Sequence, residues 1–422
     1  MTRVIHQRDI ERRSVRLRAR EFAQDVLLAG AAEARDLPDP AARFQATRPT
    51  YEEMVKAGFL KDLIPAKHGG TGLSATESFA MVEELSAVDP GVTLTLLATT
   101  LGLAPLMSSG NQDQLRRHLP VFLSGSGSPL AAFAFSEPEG SANFENAESS
   151  DTGMQSTAAP DGTGWRIDGS KNWISNAYGW EGEGPDLMTV TVATNSREAT
   201  RGGSGAASDG ERSASSATKE LTVFCVEKGS NGLNFGEPIN TTGLRTHLLP
   251  RVYFHGLLVN DRARVGAVGE GAQIVGAAFG GGAGVGALAL GIGDAALSFA
   301  LGYTGTKSRG GGIPIVGHQS VSFALVDAKI RLEAVRSLLY RAANAIDARA
   351  DDAFELSVAA KIFASETVVD VISKLMLVVG VESYSDQTPL TFYLNEALAL
   401  PLIGGSNNGF RRRQLSQCLR NA

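Results

Sequence analysis

Two stretches, "FAFSEPEGSANFEN" (Phe133 to Asn146) and "GSKNWISNAYGW" (Gly169 to Trp180), decide how the chain is read. The first is a strand running into Ser136-Glu137-Pro138 and a loop with Gly140, Ser141 and Asn143. Its backbone N–H groups and hydroxyls suit an anionic or heteroaromatic group, although a plain Pro/Gly turn has the same composition. The second reads as a strand in which Trp173 and Ser175 share a face, because strand side chains alternate. An indole beside a hydroxyl suits a flat heterocycle; a core tryptophan and a surface serine are the alternative.

Outward from this pair the pattern stays β. "LAAFAFSEP", "GWRIDGSKNWISNA", "LMTVTVAT", "LTVFCVEK" and "PRVYFHGLLVN" are short β-branched or aromatic runs between Gly, Pro and Asn turns, which predicts a middle antiparallel sheet or barrel over residues 126–262. Inside it, residues 195–220 are rich in Gly and Ser, as a flexible loop would be. Residues 1–125 predict a helical domain: "DIERRSVRLRAREFAQDVLLAGAAEARD" is stopped by Pro38 and Pro40, and "TYEEMVKAGFL" has Thr50 as cap with Glu53 three residues on. Residues 263–422 predict a second helical domain. Three long patterns, the first running unbroken through "GAQIVGAAFGGGAGVGALALGIGDAALSFALGY", make an α+β chain that ends in a four-helix bundle.

Composition narrows the function classes. The chain has 422 residues, 20% of them charged, a net charge of -6 and no basic stripe, so a small soluble ligand fits better than nucleic acid. Cys225 and Cys418 are far apart and show no metal-ligand spacing, so neither a metal nor a disulfide is expected and a reducing, cytoplasmic setting fits. The apolar run Ala283 to Leu301 is about half Gly and Ala and carries Asp294; it reads as a buried helix, and no membrane span is expected.

The Ser-Glu-Pro loop and the Trp-Ile-Ser-Asn stretch, in their helical-β-helical setting, resemble the acyl-CoA dehydrogenase superfamily of flavoproteins. So do "SRGGGIPIVGHQSVSFALVDAKIRLEAVRSLLYRAA", "LMLVVGVESYS" and "PLIGGSNNGFRRRQ". Within that superfamily the chain is most similar to the nitroalkane oxidases. The resemblance implies FAD, with Phe133, Phe135, Ser136, Ser141, Trp173 and Ser175 lining the flavin and Gly405 beside it. It also implies that Arg309, His318 and Gln319, with the Val379-Gly380 turn, reach the ADP part of a cofactor bound in a neighbouring subunit, so that a homotetramer is expected. A polar linker with a helix cap is the other reading of Arg309, His318 and Gln319.

By the same resemblance, relatives keep a proton-abstracting carboxylate in the turn before the last helix, where this chain has Gly404. Others keep it on the first long C-terminal helix, where this chain has Gly280, Gly281 and Gly282. Close helix packing through Gly276, Gly280 and Gly284, or open volume at Gly281 and Gly404, would each account for the glycines. Arg411 then stands without its acid, either to bind an anionic substrate or to stabilise reduced flavin, or else as part of an exposed basic helix start. With Ser175 and Gly404 it makes the expected catalytic set. The reading is an FAD-dependent oxidase or dehydrogenase of a small to medium organic substrate, lacking the usual base. A flavin monooxygenase, an acyl thioester dehydrogenase, a flavin-binding protein without turnover and an active-site variant of a nitroalkane-oxidising enzyme remain alternatives.

Overall fold

A computed structural model describes residues 7–109, 111–140, 153–195 and 219–421. Ser141, Asn143 and residues 196–218 of the expected loop lie outside them. The order is helical, β, helical.

The first helix runs Gln7–Phe22 and continues through a π-helical turn, Ala23–Leu27, into Leu28–Arg35. The next expectation needs correction. The helix there is Arg48–Lys56, with proline in its first turn, so Thr50 is a buried interior residue and not the cap. A 20-residue helix that periodicity does not show, Pro90–Ser109, crosses the core. It is apolar on nearly every side, so no face stands out, and it carries Pro105. By length and composition this helix and the Gly271–Thr306 stretch could each cross a membrane, but both are mostly buried within the protein.

Among the described residues eight strands form one mixed sheet: β1 (Ala131–Ala134), β2 (Thr157–Asp161), β3 (Gly164–Lys171), β4 (Leu187–Asn195), β5 (Lys219–Val226), β6 (Leu233–Phe235), β7 (Val252–Asn260) and β8 (Arg264–Val265). Their order is β6-β7-β3-β2-β4-β5-β8, with β1 also on β4. The sheet is therefore not purely antiparallel. One edge of β4 is shared, Leu187–Val190 pairing parallel to β1 and Ala193–Thr194 parallel to β2. Strand β3 stops at Lys171, so Trp173 and Ser175 are not on a strand as expected. They sit in an irregular turn where Trp173 and Asn176 have φ of 61° and 63°.

In the C-terminal region Ala283–Thr306, Gln319–Ala348 and Ala353–Val379 pack on one another, with Leu390–Leu398 against the first and third. The expected unbroken first helix is two: Gly271–Phe279 ends at Gly280 (φ 45°), and Ala283–Thr306 begins after Gly282 (φ 76°). Gly281 is where close packing occurs, since a Cβ there would lie 2.1 Å from Ser357 Cβ. Gly281 thus opens no volume, while a Cβ on Gly276, Gly280 or Gly284 would meet nothing within 4 Å, so no helix packs closely through those three.

Candidate active site

The two opening motifs meet. Asn172 N–H donates to Ser136 O at 2.8 Å, and the Glu137 carboxylate accepts from Gln155 N–H (2.6 Å), Ser156 N–H (2.8 Å) and Lys171 Nζ (2.9 Å). Lys171 is fully buried, and burial pushes it down to about 8 against the pull of Glu137. Burial alone would raise the Glu137 carboxyl, but the Lys171 ammonium and the two N–H donors leave it below the usual carboxylate range. Removing one partner of such a pair strands a buried charge and costs about 3–5 kcal/mol, so this ion pair holds the loop to the end of β3.

The Trp173–Ser175 turn is pinned from below. Asn176 Nδ2 donates to Thr95 O, Thr99 Oγ1 and Ala131 O at 3.0–3.3 Å, which ties the turn to the Pro90–Ser109 helix and β1. Its buried Oδ1 has no hydrogen-bond partner among the described residues. The Trp173 indole remains 53% exposed despite a left-handed backbone that a bulky residue rarely adopts, and strain of this kind concentrates at ligand sites. Ser175 is half-buried, and its Oγ lies 2.9 Å from His247 Nε2.

Four aromatic rings join this region to the C-terminal turn. Phe133 and Phe135 at the end of β1 stand 5.2 and 5.1 Å from Phe279, and Phe279 stands 5.7 Å from Phe410. The turn itself has both glycines left-handed, Gly404 at φ 61° and Gly405 at φ 80°. A Cβ on Gly404 would meet Val285 Cγ2 at 2.9 Å.

Arg411 is buried, not an exposed helix start, and all five of its N–H groups have acceptors. Nε and Nη2 donate to Gly404 O (3.0 and 2.7 Å), Nη1 to Gly280 O (2.6 Å) and Gln414 Oε1 (2.9 Å), and Nη2 also to Phe279 O (3.4 Å). The guanidinium plugs the helix break at its negative end, where cations are favoured, and burial lowers it to about 10. No carboxylate among the described residues forms an ion pair with it. Neighbouring Arg412 pairs instead with Glu366 of the same chain.

Lys361 holds the turn from the opposite side. Its Nζ donates to Gly405 O (2.9 Å) and Asn407 Oδ1 (2.6 Å), and burial, helped by the Arg411 charge, pushes it down to about 7. Glu396 does not serve the turn: its carboxylate accepts from Leu244 N–H at 2.9 Å, and burial together with nearby Asp89 raises it to about 8.

The residues expected near the ADP group are partly assembled. Arg309 Nη2 donates to Val379 O (2.6 Å) and Tyr303 OH (2.9 Å), and its guanidinium lies over left-handed Gly380 (φ 82°), where an added Cβ would meet Nη1 at 2.7 Å. His318 and Gln319 are exposed at the start of the Gln319–Ala348 helix, and His318 makes no side-chain cap.

Sequence reasoning missed Phe279, Phe410, His247, Lys361 and the Glu137–Lys171 pair. Phe279 had a signal, an aromatic side chain directly before three glycines. Phe410, Glu137 and Lys171 lie inside the quoted stretches, but nothing in their spacing marks their partners; His247 and Lys361 are single buried residues outside any motif.

An exposed indole beside a hydroxyl, a wall of aromatic rings and an orphaned amide oxygen suit a flat heteroaromatic ring such as an isoalloxazine. Comparison with known proteins gives the family. Residues 9–126 match the acyl-CoA dehydrogenase N-terminal domain model and residues 269–417 the acyl-CoA dehydrogenase C-terminal domain model. Nitroalkane oxidase of Podospora anserina is 35% identical over 95% of this chain and 92% of that protein, and nitroalkane oxidase of Fusarium oxysporum 34% over 96% and 92%. The solved Podospora anserina nitroalkane oxidase has a TM-score of 0.88 at 33% identity, covering 99% of this chain and 97% of that one. With the fold and these relatives in agreement, the chain belongs to the acyl-CoA dehydrogenase superfamily and is an FAD-dependent flavoprotein oxidoreductase.

Proposed function

We propose that the chain is an oxidase of the nitroalkane oxidase type that receives its carbon-acid substrate already ionised, because Gly404 stands where relatives keep a proton-abstracting carboxylate. The observation that carries this is Arg411. In place of an acid, the guanidinium takes the Gly404 carbonyl and three further acceptors, so the turn is stable without a base. FAD, when bound, supplies the acceptor for a hydride or an electron pair. Phe133, Phe135, Ser136, Trp173, Ser175 and Gly405 would hold its ring, joined by Ser141. The four phenylalanines exclude water from the reacting carbon and favour a small to medium apolar substituent.

Arg309, His318, Gln319, Val379 and Gly380 would reach the ADP part of FAD bound in a neighbouring subunit, and this requires an oligomer, most simply a homotetramer. Phe323, Val326 and Ile330 support it: they lie exposed at helical spacing along one face of Gln319–Ala348.

The test compares two forms of one substrate. Preformed ethyl nitronate should reduce the bound flavin anaerobically at least tenfold faster than neutral nitroethane. Equal rates at a pH where nitroethane is un-ionised would mean that the protein supplies a base of its own.

A further inference from the structure

His247 is almost fully buried, and each of its ring nitrogens has one hydroxyl partner: Thr95 Oγ1 at 2.9 Å from Nδ1 and Ser175 Oγ at 2.9 Å from Nε2. Burial lowers the imidazole to about 3, so it is neutral and carries one donor and one acceptor. The Thr95 hydroxyl also lies 3.3 Å from Gly91 O, one turn back on the same helix, a second acceptor for its hydrogen. With the hydrogen assigned to Gly91 O, Thr95 Oγ1 accepts from Nδ1–H and Nε2 accepts from Ser175. The Ser175 hydroxyl hydrogen is thereby committed to His247, and the serine has only lone pairs left for another partner.

We infer that His247 is a positioning residue that fixes Ser175 as a hydrogen-bond acceptor, so that the site favours a bound ring nitrogen carrying hydrogen over the same nitrogen bare. This rests on the proposed placement of Ser175 at the flavin, whose N5 is bare when oxidised and carries hydrogen when reduced. The consequence is a bias of the bound cofactor toward its reduced form, set by a histidine that touches neither cofactor nor substrate.

The test measures the two-electron reduction potential and visible spectrum of the FAD-bound protein. His247→Phe frees the serine hydrogen and should shift the reduced-to-oxidised ratio about tenfold toward oxidised at fixed potential, a drop of about 30 mV. Thr95→Val unlocks the tautomer and should move the potential in the same direction, which covers the case in which His247→Phe folds poorly. His247→Gln, which can offer an amide oxygen to Ser175, should stay near wild type. In a Ser175→Ala background His247→Phe should be silent.

The inference fails if His247→Phe lowers the potential equally with and without Ser175, since the effect would then be structural, or if the shift is upward. It also fails if Ser175→Ala alone changes neither spectrum nor potential, and in that case the placement of Ser175 at the flavin fails with it. A responsive Ser175→Ala with an inert His247→Phe overturns the inference alone.

Discussion

Gly404 and Lys361 carry the account at the level of single residues. Aspartate is among the few side chains that tolerate a left-handed backbone, and at Gly404 its Cβ would crowd one atom, Val285 Cγ2 at 2.9 Å, which must give way slightly. Gly404→Asp should therefore fold and place an acid beside Arg411, raising turnover of neutral nitroethane by about 100-fold or more in an oxygen-uptake assay. An unchanged rate would mean that the pocket has been rebuilt for other chemistry. Lys361 predicts a pH effect. From its folded value of about 7 up to the ordinary 10.5, the unfolded chain binds a proton that the folded chain has released, so its contribution to stability rises with pH across that window. The urea-unfolding difference between wild type and Lys361→Met should grow by up to ~1.4 kcal/mol per pH unit above about pH 7. A difference flat with pH would show that Lys361 stays charged. Ser136, Trp173 and Arg411 were legible in the sequence because they sit in short motifs with fixed spacing. His247 and Lys361 were not, because each gains its meaning only when two distant segments fold against it.

Among the elements, the broken helix at Gly280–Gly282 is the most informative. A helical period continues through it unchanged, so the sequence reads as one helix, yet two left-handed glycines turn the chain and expose the carbonyls that Arg411 takes. Gly281 inside that break and Gly276 before it respond differently to a methyl group. Gly281→Ala would drive its Cβ into Ser357 and should destabilise by about 1–3 kcal/mol. Gly276→Ala, exposed inside Gly271–Phe279 with nothing near, should stabilise by up to ~1 kcal/mol. Denaturant midpoints of the two variants check the contrast, and equal shifts would contradict it. The Pro90–Ser109 helix was invisible for the opposite reason: burial on nearly all sides leaves no period to read. The ends of β3 and the parallel pairing of β1 and β2 with β4 were hidden as well, since alternation in sequence sets neither a strand's last residue nor its partner.

For the molecule as a whole, the helical-β-helical order was legible from the change of period alone, while a homotetramer was expected from the resemblance and not from any pattern in the residues. An apolar face on Gln319–Ala348, with Leu377, Val381 and Tyr384 exposed near Arg309, is surface that a lone subunit would leave in water. In the proposed tetramer it is covered, and Phe323→Asp should shift the mass in light scattering toward smaller species and weaken FAD retention together. Loss of one without the other would separate the interface from the cofactor site. The central claim is that this flavoprotein oxidises a substrate it does not itself deprotonate. It is tested most directly by stopped-flow reduction of the bound flavin with nitroethane, neutral and as preformed nitronate, across pH. Fast reduction by the nitronate, with the neutral form contributing only in proportion to its own ionisation, is the predicted result. Rapid reduction by neutral nitroethane well below its own pKa would contradict it.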